Sequence, residues 1–132
     1  MLYNTCEILK EAETIAVVGI SDKLHRTSYR ISHFLVRKGY NVFGVNPLIE
    51  NSGSIKVYPS LSDIPVEIDI VNVFRKSEKI AEIADEIIKA KPKVLWLQLG
   101  IVNFDVINLA EENGIKGIQD QCIKVRYSEC FG

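Results

Sequence analysis

The chain has 132 residues, a size at which one domain buries roughly two thirds of its unfolded surface, so a single domain over residues 1–132 is expected. Hydrophobic residues make up 47% and charged residues 25%, with 8 Gly and 4 Pro, which excludes a disordered or collagen-like chain. Sixteen Lys and Arg against seventeen Asp and Glu give a net charge of −1, so no overall cationic field favours nucleic acid or anionic lipid, and only a local anion site is open.

No apolar run approaches the roughly 18 residues of a membrane helix; the best one, Thr14 to Ile20, is short and ends in a turn signal. The start, Met1-Leu2-Tyr3-Asn4-Thr5-Cys6-Glu7, has no basic region followed by an apolar block and a small-residue cleavage site, so export is not expected and the cytoplasm is. Cys6, Cys122 and Cys130 form an odd set without a C-x-x-C pair. That argues against a disulfide framework and a structural zinc site and predicts reduced thiols.

Taken in order, Asn4 to Glu11 reads as a short helix with Ile8 and Leu9 turned to a sheet, and Ile15 to Ile20 as a first strand. Ser28 is the expected N-cap of a helix carrying Ile31, Phe34 and Leu35, which Lys38-Gly39 ends. Val42 to Val45 is the second strand, stopped by Asn46-Pro47; Asn51 to Ser54 reads as a loop, and Val57-Tyr58 as a minor third strand. Ser60-Leu61-Ser62-Asp63 has capping-box spacing, with Pro65 limiting the helix to little more than a turn. Ile68 to Phe74 is the fourth strand. Ser77 then caps a helix with Ile80, Ile83, Ala84, Ile87 and Ile88 on one face, stopped by Pro92. Val94 to Leu97 and Ile115 to Ile118 are the last strands, flanking a helix capped by Asn103 and closed by Asn113-Gly114.

β-branched apolar blocks alternating with helical segments predict an α/β fold, a Rossmann-like doubly wound parallel sheet in a single domain. The commonest order with the first strand central is 3-2-1-4-5-6. In that order the chain leaves strands one and four in opposite directions, opening a crevice over their carboxyl ends, where Gly19 to Ser28 and Phe74-Arg75 fall.

The loop from Gly19 to Ser28 joins a buried strand to a helix N-terminus, where free N–H groups and the helix dipole favour an anion. It matches neither G-x-x-x-x-G-K-[ST] nor G-x-G-x-x-G. From the loop alone two readings stand: an anion site, or a glycine that only turns the chain and a serine that only caps. Where an NAD-binding domain usually has Asp or Glu, the chain reads Val45-Asn46-Pro47. That neutral turn, with Lys23, Arg26 and Arg30 nearby, suits a phosphate-rich adenine nucleotide better than NAD.

The runs Val17-Val18-Gly19-Ile20-Ser21, Arg26-Thr27-Ser28, Gly39-Tyr40-Asn41-Val42, Val45-Asn46-Pro47, Val57-Tyr58-Pro59-Ser60-Leu61, Asp63-Ile64-Pro65, Val73-Phe74-Arg75 and Gln98-Leu99-Gly100-Ile101 resemble the small stand-alone CoA-binding proteins. The resemblance covers nearly the whole chain, and the fold of those proteins is similar to the CoA-binding domain of the succinyl-CoA synthetase α-subunit. It implies Gly19 and Ser21 beside the phosphates, Arg26 and Ser28 at the helix N-terminus, and Asn46 and Pro47 along the nucleotide. It also implies Phe74 and Arg75 on the far side, and Gln98 and Gly100 where the pantetheine arm passes. The chain departs at its end: such proteins often read Asp-Arg-Cys and then a Glu-His pair, and here stand Asp120-Gln121-Cys122 and Arg126-Tyr127.

No catalytic constellation emerges. Cys122 has no histidine close in sequence to activate it and reads as an inert thiol that meets the ligand only if pantetheine passes Gln98 and Gly100. His25 and His33 read as ordinary polar residues, His33 half-exposed on its helix. Asp69 and Asp120 do not converge as an acid/base pair, and Glu78, Glu82, Asp85 and Glu86 read mainly as a solvated face. The expected function is non-covalent binding of CoA or an acyl-CoA, with no metal. Two alternatives remain, an acyl-CoA-dependent enzyme using Cys122 or a partner subunit, and a CoA-responsive interaction module. Thioester cleavage distinguishes the first, and a protein partner captured only with ligand the second. A homo-oligomer is also open.

Overall fold

The computed structural model describes residues 3–132. Helix α1 (Thr5–Glu11) is capped by Asn4, whose side chain accepts from the Glu7 N–H. Strand β1 (Thr14–Val18) follows, buried at every position; Ile15 and Val17 face one side of the sheet, Ala16 and Val18 the other. This is the two-residue alternation of a strand covered on both faces. Helix α2 (Thr27–Arg37) leads to β2 (Asn41–Val45), and a hairpin of β3 (Asn51–Ser52) and β4 (Ile55–Tyr58) leads to a 3-10 turn at Leu61–Asp63. Strand β5 (Ile70–Val73) is followed by a 3-10 segment, Ser77–Ile83, that runs into α3 (Ala84–Ala90). Strand β6 (Val94–Leu97), α4 (Phe104–Glu112), β7 (Lys116–Ile118) and α5 (Ile123–Phe131) complete the chain.

The sheet has seven strands in the order β3-β4-β2-β1-β5-β6-β7. All neighbours are parallel except β3 and β4. The six parallel strands follow the expected winding order; the addition is β3, an antiparallel edge strand where a loop was expected. Helices α1, α2 and α5 cover the face that carries Ile15, Val17, Ile70 and Trp96. The 3-10 segments, α3 and α4 cover the face that carries Val18, Val71, Val73 and Leu95. Burying a Leu, Ile or Val fully is worth about 1.5–3 kcal/mol, so these two apolar layers fix which way each strand faces.

Three further expectations are corrected and one helix is new. Helix α2 begins at Thr27 with Arg26 at the N-cap, so Ser28 lies inside the first turn and its Oγ accepts instead from the Ser21 N–H at 3.0 Å. Ser77 does not cap its helix either: its Oγ accepts from the Val102 N–H at 3.0 Å, tying two loops together, and the helix opens as a 3-10 segment. Helix α5 was not foreseen. Finally, the thiols of Cys6 and Cys130 are joined as a disulfide between α1 and α5, with Cα atoms 5.4 Å apart, because the packing of these two helices brings together residues 124 positions apart. Cys122 alone is a free thiol. No helix among the described residues is long and apolar enough to cross a membrane.

Candidate functional site at the carboxyl edge

Strand register places the site. Val18 lies beside Val45 and Val73, and Val73 beside Leu97. The next residue of each strand, Asn46, Gly19, Phe74 and Gln98, therefore forms one row, about 14 Å long at the usual strand spacing. Backbone bonds hold the row: Gly19 N–H to Val45 at 2.9 Å, Phe74 N–H to Val18 at 2.8 Å, and Gln98 N–H to Val73 at 3.2 Å. Gly19 turns the chain at φ 85°, and a Cβ there would lie 2.8 Å from the Phe74 carbonyl oxygen.

Beyond Gly19 the loop is held by its own polar groups. Ser21 Oγ accepts from Lys23 N–H at 3.0 Å, and Arg26 N–H donates to the Lys23 carbonyl at 3.0 Å. Helix α2 then starts, leaving the N–H groups of its first turn without helical acceptors and its dipole positive toward the loop. Arg26 is exposed at that N-terminus. Asn46 locks the neighbouring turn: its Nδ2 donates to the Ile20 carbonyl and its Oδ1 accepts from Leu48 N–H, both at 2.9 Å.

Two cavities open along this row. One of 390 Å³ lies over Gly19, Asn46, Pro47, Leu48, Arg75 and Glu86. The other, of 690 Å³, lies over Thr27, Phe74, Arg75, Gln98, Gly100 and Cys122. Arg75 borders both, and its guanidinium meets Glu82 at 3.3 Å. A further cavity, of 260 Å³, lies at the opposite edge of the sheet beside Asp69, Lys93 and Lys116.

A model of the CoA binding domain matches residues 13–128. The chain belongs to the CoA-binding domain family. It is 41% identical over 122 residues to protein YneT of Bacillus subtilis strain 168, a match covering 92% of this chain and 90% of YneT. Its structure is similar to a hypothetical protein from Pyrococcus horikoshii OT3, with 33% identity, a TM-score of 0.91, and 96% of this chain and 89% of that one covered. A dinucleotide forming acetyl-coenzyme A synthetase from Ca. Korarchaeum cryptofilum, solved with phosphate and ADP, shares the fold at 23% identity and a TM-score of 0.72. That match covers 82% of this chain and 26% of the synthetase.

In this CoA-binding domain the expected residues divide by what they do. Gly19, Asn46, Pro47, Phe74, Arg75, Gln98 and Gly100 line the two cavities, while Ser21, Arg26 and Ser28 lie in the loop and first helical turn beside them. Gln98 is 4% exposed, and its Oε1 accepts from Asn72 Nδ2 and from the Ile123 N–H, both at 3.3 Å. It therefore fixes the start of α5 as the cavity wall. The Gly100 N–H donates to Asp120 Oδ1 at 2.8 Å, and Trp96 Nε1–H to the Gln121 carbonyl at 2.8 Å, which holds the turn before Cys122 in place. Downstream, Arg126 bonds Thr5 and Glu129, and Tyr127 stands edge-on to Phe34 and Tyr40, so the divergent C-terminal segment packs α5 onto α1 and α2.

The sequence reading missed Glu86, which leaves the solvated face of α3: half-buried in the 390 Å³ cavity beside Asn46, its carboxylate accepts from the Leu61 N–H. It also missed Leu48, whose only signal was adjacency to Pro47, and took Thr27 only as the middle of the run Arg26-Thr27-Ser28 without giving it a place at the site.

Proposed function

We propose that this protein binds CoA or an acyl-CoA non-covalently across the carboxyl edge of its sheet and catalyses no reaction on it. The adenine nucleotide takes the cavity beside Asn46 and Pro47, and the phosphates meet the Gly19–Ser28 loop, the α2 N-terminus and Arg26. The pantetheine arm passes Arg75 into the cavity of Phe74, Gln98 and Gly100. Its thiol end then points toward Cys122. The observation that carries this reading is the pair of cavities meeting at Arg75 in one row of strand ends, within a chain of the CoA-binding domain family. A CoA molecule is long and has two unlike ends, which two adjoining cavities suit. The neutral Asn46-Pro47 turn disfavours NAD, which calls for a carboxylate there.

Mass spectrometry of small molecules released from the purified protein identifies the ligand, and thermal shift ranks candidates, because stabilisation follows affinity at fixed concentration. CoA should raise the melting temperature more than NAD or ATP. Equal or greater stabilisation by NAD would overturn the reading.

A further inference from the structure

Ser52, at the end of the two-residue strand β3, is fully buried, and its Oγ donates to the Ser21 carbonyl at 2.7 Å. Ser21 is also held from the other side, since its N–H donates to Ser28 Oγ in the first turn of α2. Ser21, at the base of the anion loop, is thus held by α2 through its N–H and by the β3–β4 hairpin through its carbonyl.

The hairpin is in turn seated on α2. His33 Nε2–H donates to the Ser52 carbonyl at 3.0 Å, and the His33 ring stacks on Tyr29 with centroids 4.1 Å apart. Gly53, at φ 56°, comes so close that a Cβ would meet the His33 ring at 2.9 Å. The edge hairpin is therefore docked onto the helix whose N-terminus closes the loop, and its buried hydroxyl reaches the loop itself.

We propose that the β3–β4 hairpin is a clamp that pre-organises the anion loop, and that Ser52 is a positioning residue setting affinity for the ligand's phosphates without touching them. A loop already fixed in its binding shape loses less conformational freedom when the anion arrives, so affinity rises without a new contact. Removing the Ser52 hydroxyl leaves the Ser21 carbonyl without its side-chain donor and frees the loop to sample other shapes. The inference rests on reading the Gly19–Ser28 loop as the phosphate site.

Titration calorimetry of the wild type, Ser52→Ala and Ser52→Thr with CoA and with phosphate-free pantetheine tests it, together with amide exchange at Ser21. Ser52→Ala should bind CoA about five- to tenfold more weakly, the effect of losing one hydrogen bond, leave pantetheine unchanged and exchange the Ser21 amide faster. Ser52→Thr, which keeps the hydroxyl, should recover most of the loss. Wild-type CoA affinity in Ser52→Ala, or equal losses for CoA and pantetheine, would overturn the clamp. If Ser52→Ala does not fold, His33→Ala must produce the same selective loss by loosening the hairpin from its other side, and failure to do so overturns the proposal. If the wild type itself does not bind CoA, the phosphate reading of the loop fails instead. The clamp is then judged by Ser21 exchange, and an unchanged rate in Ser52→Ala rejects it.

Discussion

At Gly19 the backbone is left-handed directly beneath a carbonyl oxygen of the next strand, so the position tolerates neither the φ angle nor the volume of an L side chain. Gly19→Ala should cost about 1–3 kcal/mol from the backbone alone, with further loss from the contact to Phe74, as read by denaturant unfolding. Unchanged stability would mean that the loop has another conformation. This residue was readable in advance because a glycine closing a buried strand is a local signal, and the same holds for Asn46 and Phe74 beside it. Ser52 and Glu86 were not, since what they do depends on partners 31 and 25 residues away. Gln98 shows an intermediate case: its place at the cavity came only from the family resemblance, and its bond to Ile123 could not be read, because α5 itself was not visible.

At the scale of elements, the parallel strands were legible because burial on both faces writes them as continuous apolar runs. The edge hairpin and α5 were not: β3 is two residues long, too short for any periodicity, and α5 mixes Lys124, Val125, Arg126 and Tyr127 without a clear apolar stripe. The start of β1 depends on one side chain that immediately precedes β5. Asp69 Oδ2 accepts from the N–H groups of Glu13 at 2.8 Å and Thr14 at 3.0 Å, and Oδ1 meets Lys93 at 3.3 Å. Burial pushes this carboxyl upward, but the two backbone donors and the Lys93 ammonium outweigh it and hold it below the usual carboxylate range. A group depressed in the folded state contributes stability above its unfolded pKa, about 3.9, and loses it as the pH falls through the folded value. Asp69→Asn should therefore destabilise the protein by about 1–3 kcal/mol at neutral pH, chiefly through the backbone bonds, with the gap closing on acidification below about pH 4. Lys93 is too exposed to contribute much. Parallel unfolding curves of the two proteins from pH 7 to pH 2.5 check this, and a gap that persists into acid would reject it.

Over the whole molecule, the two apolar layers account for one folded body, while the Cys6–Cys130 bridge adds a covalent closure that no local pattern announces. Closing a loop of this length is worth about 2–5 kcal/mol, mainly through the entropy removed from the unfolded chain in the usual model. Reduction, or Cys6→Ser, should lower the melting temperature by several degrees while leaving the sheet intact, and an unchanged melting temperature would show that the packing of α1 on α5 suffices alone. The bridge also decides how the protein meets a mechanical load. A pull applied at Asn4 and Gly132 passes from α1 to α5 through the sulfur pair and bypasses the strands between them. In an optical trap with handles at these two residues the oxidised protein should therefore lengthen by only a few residues, whereas the reduced protein should yield the whole contour between the handles.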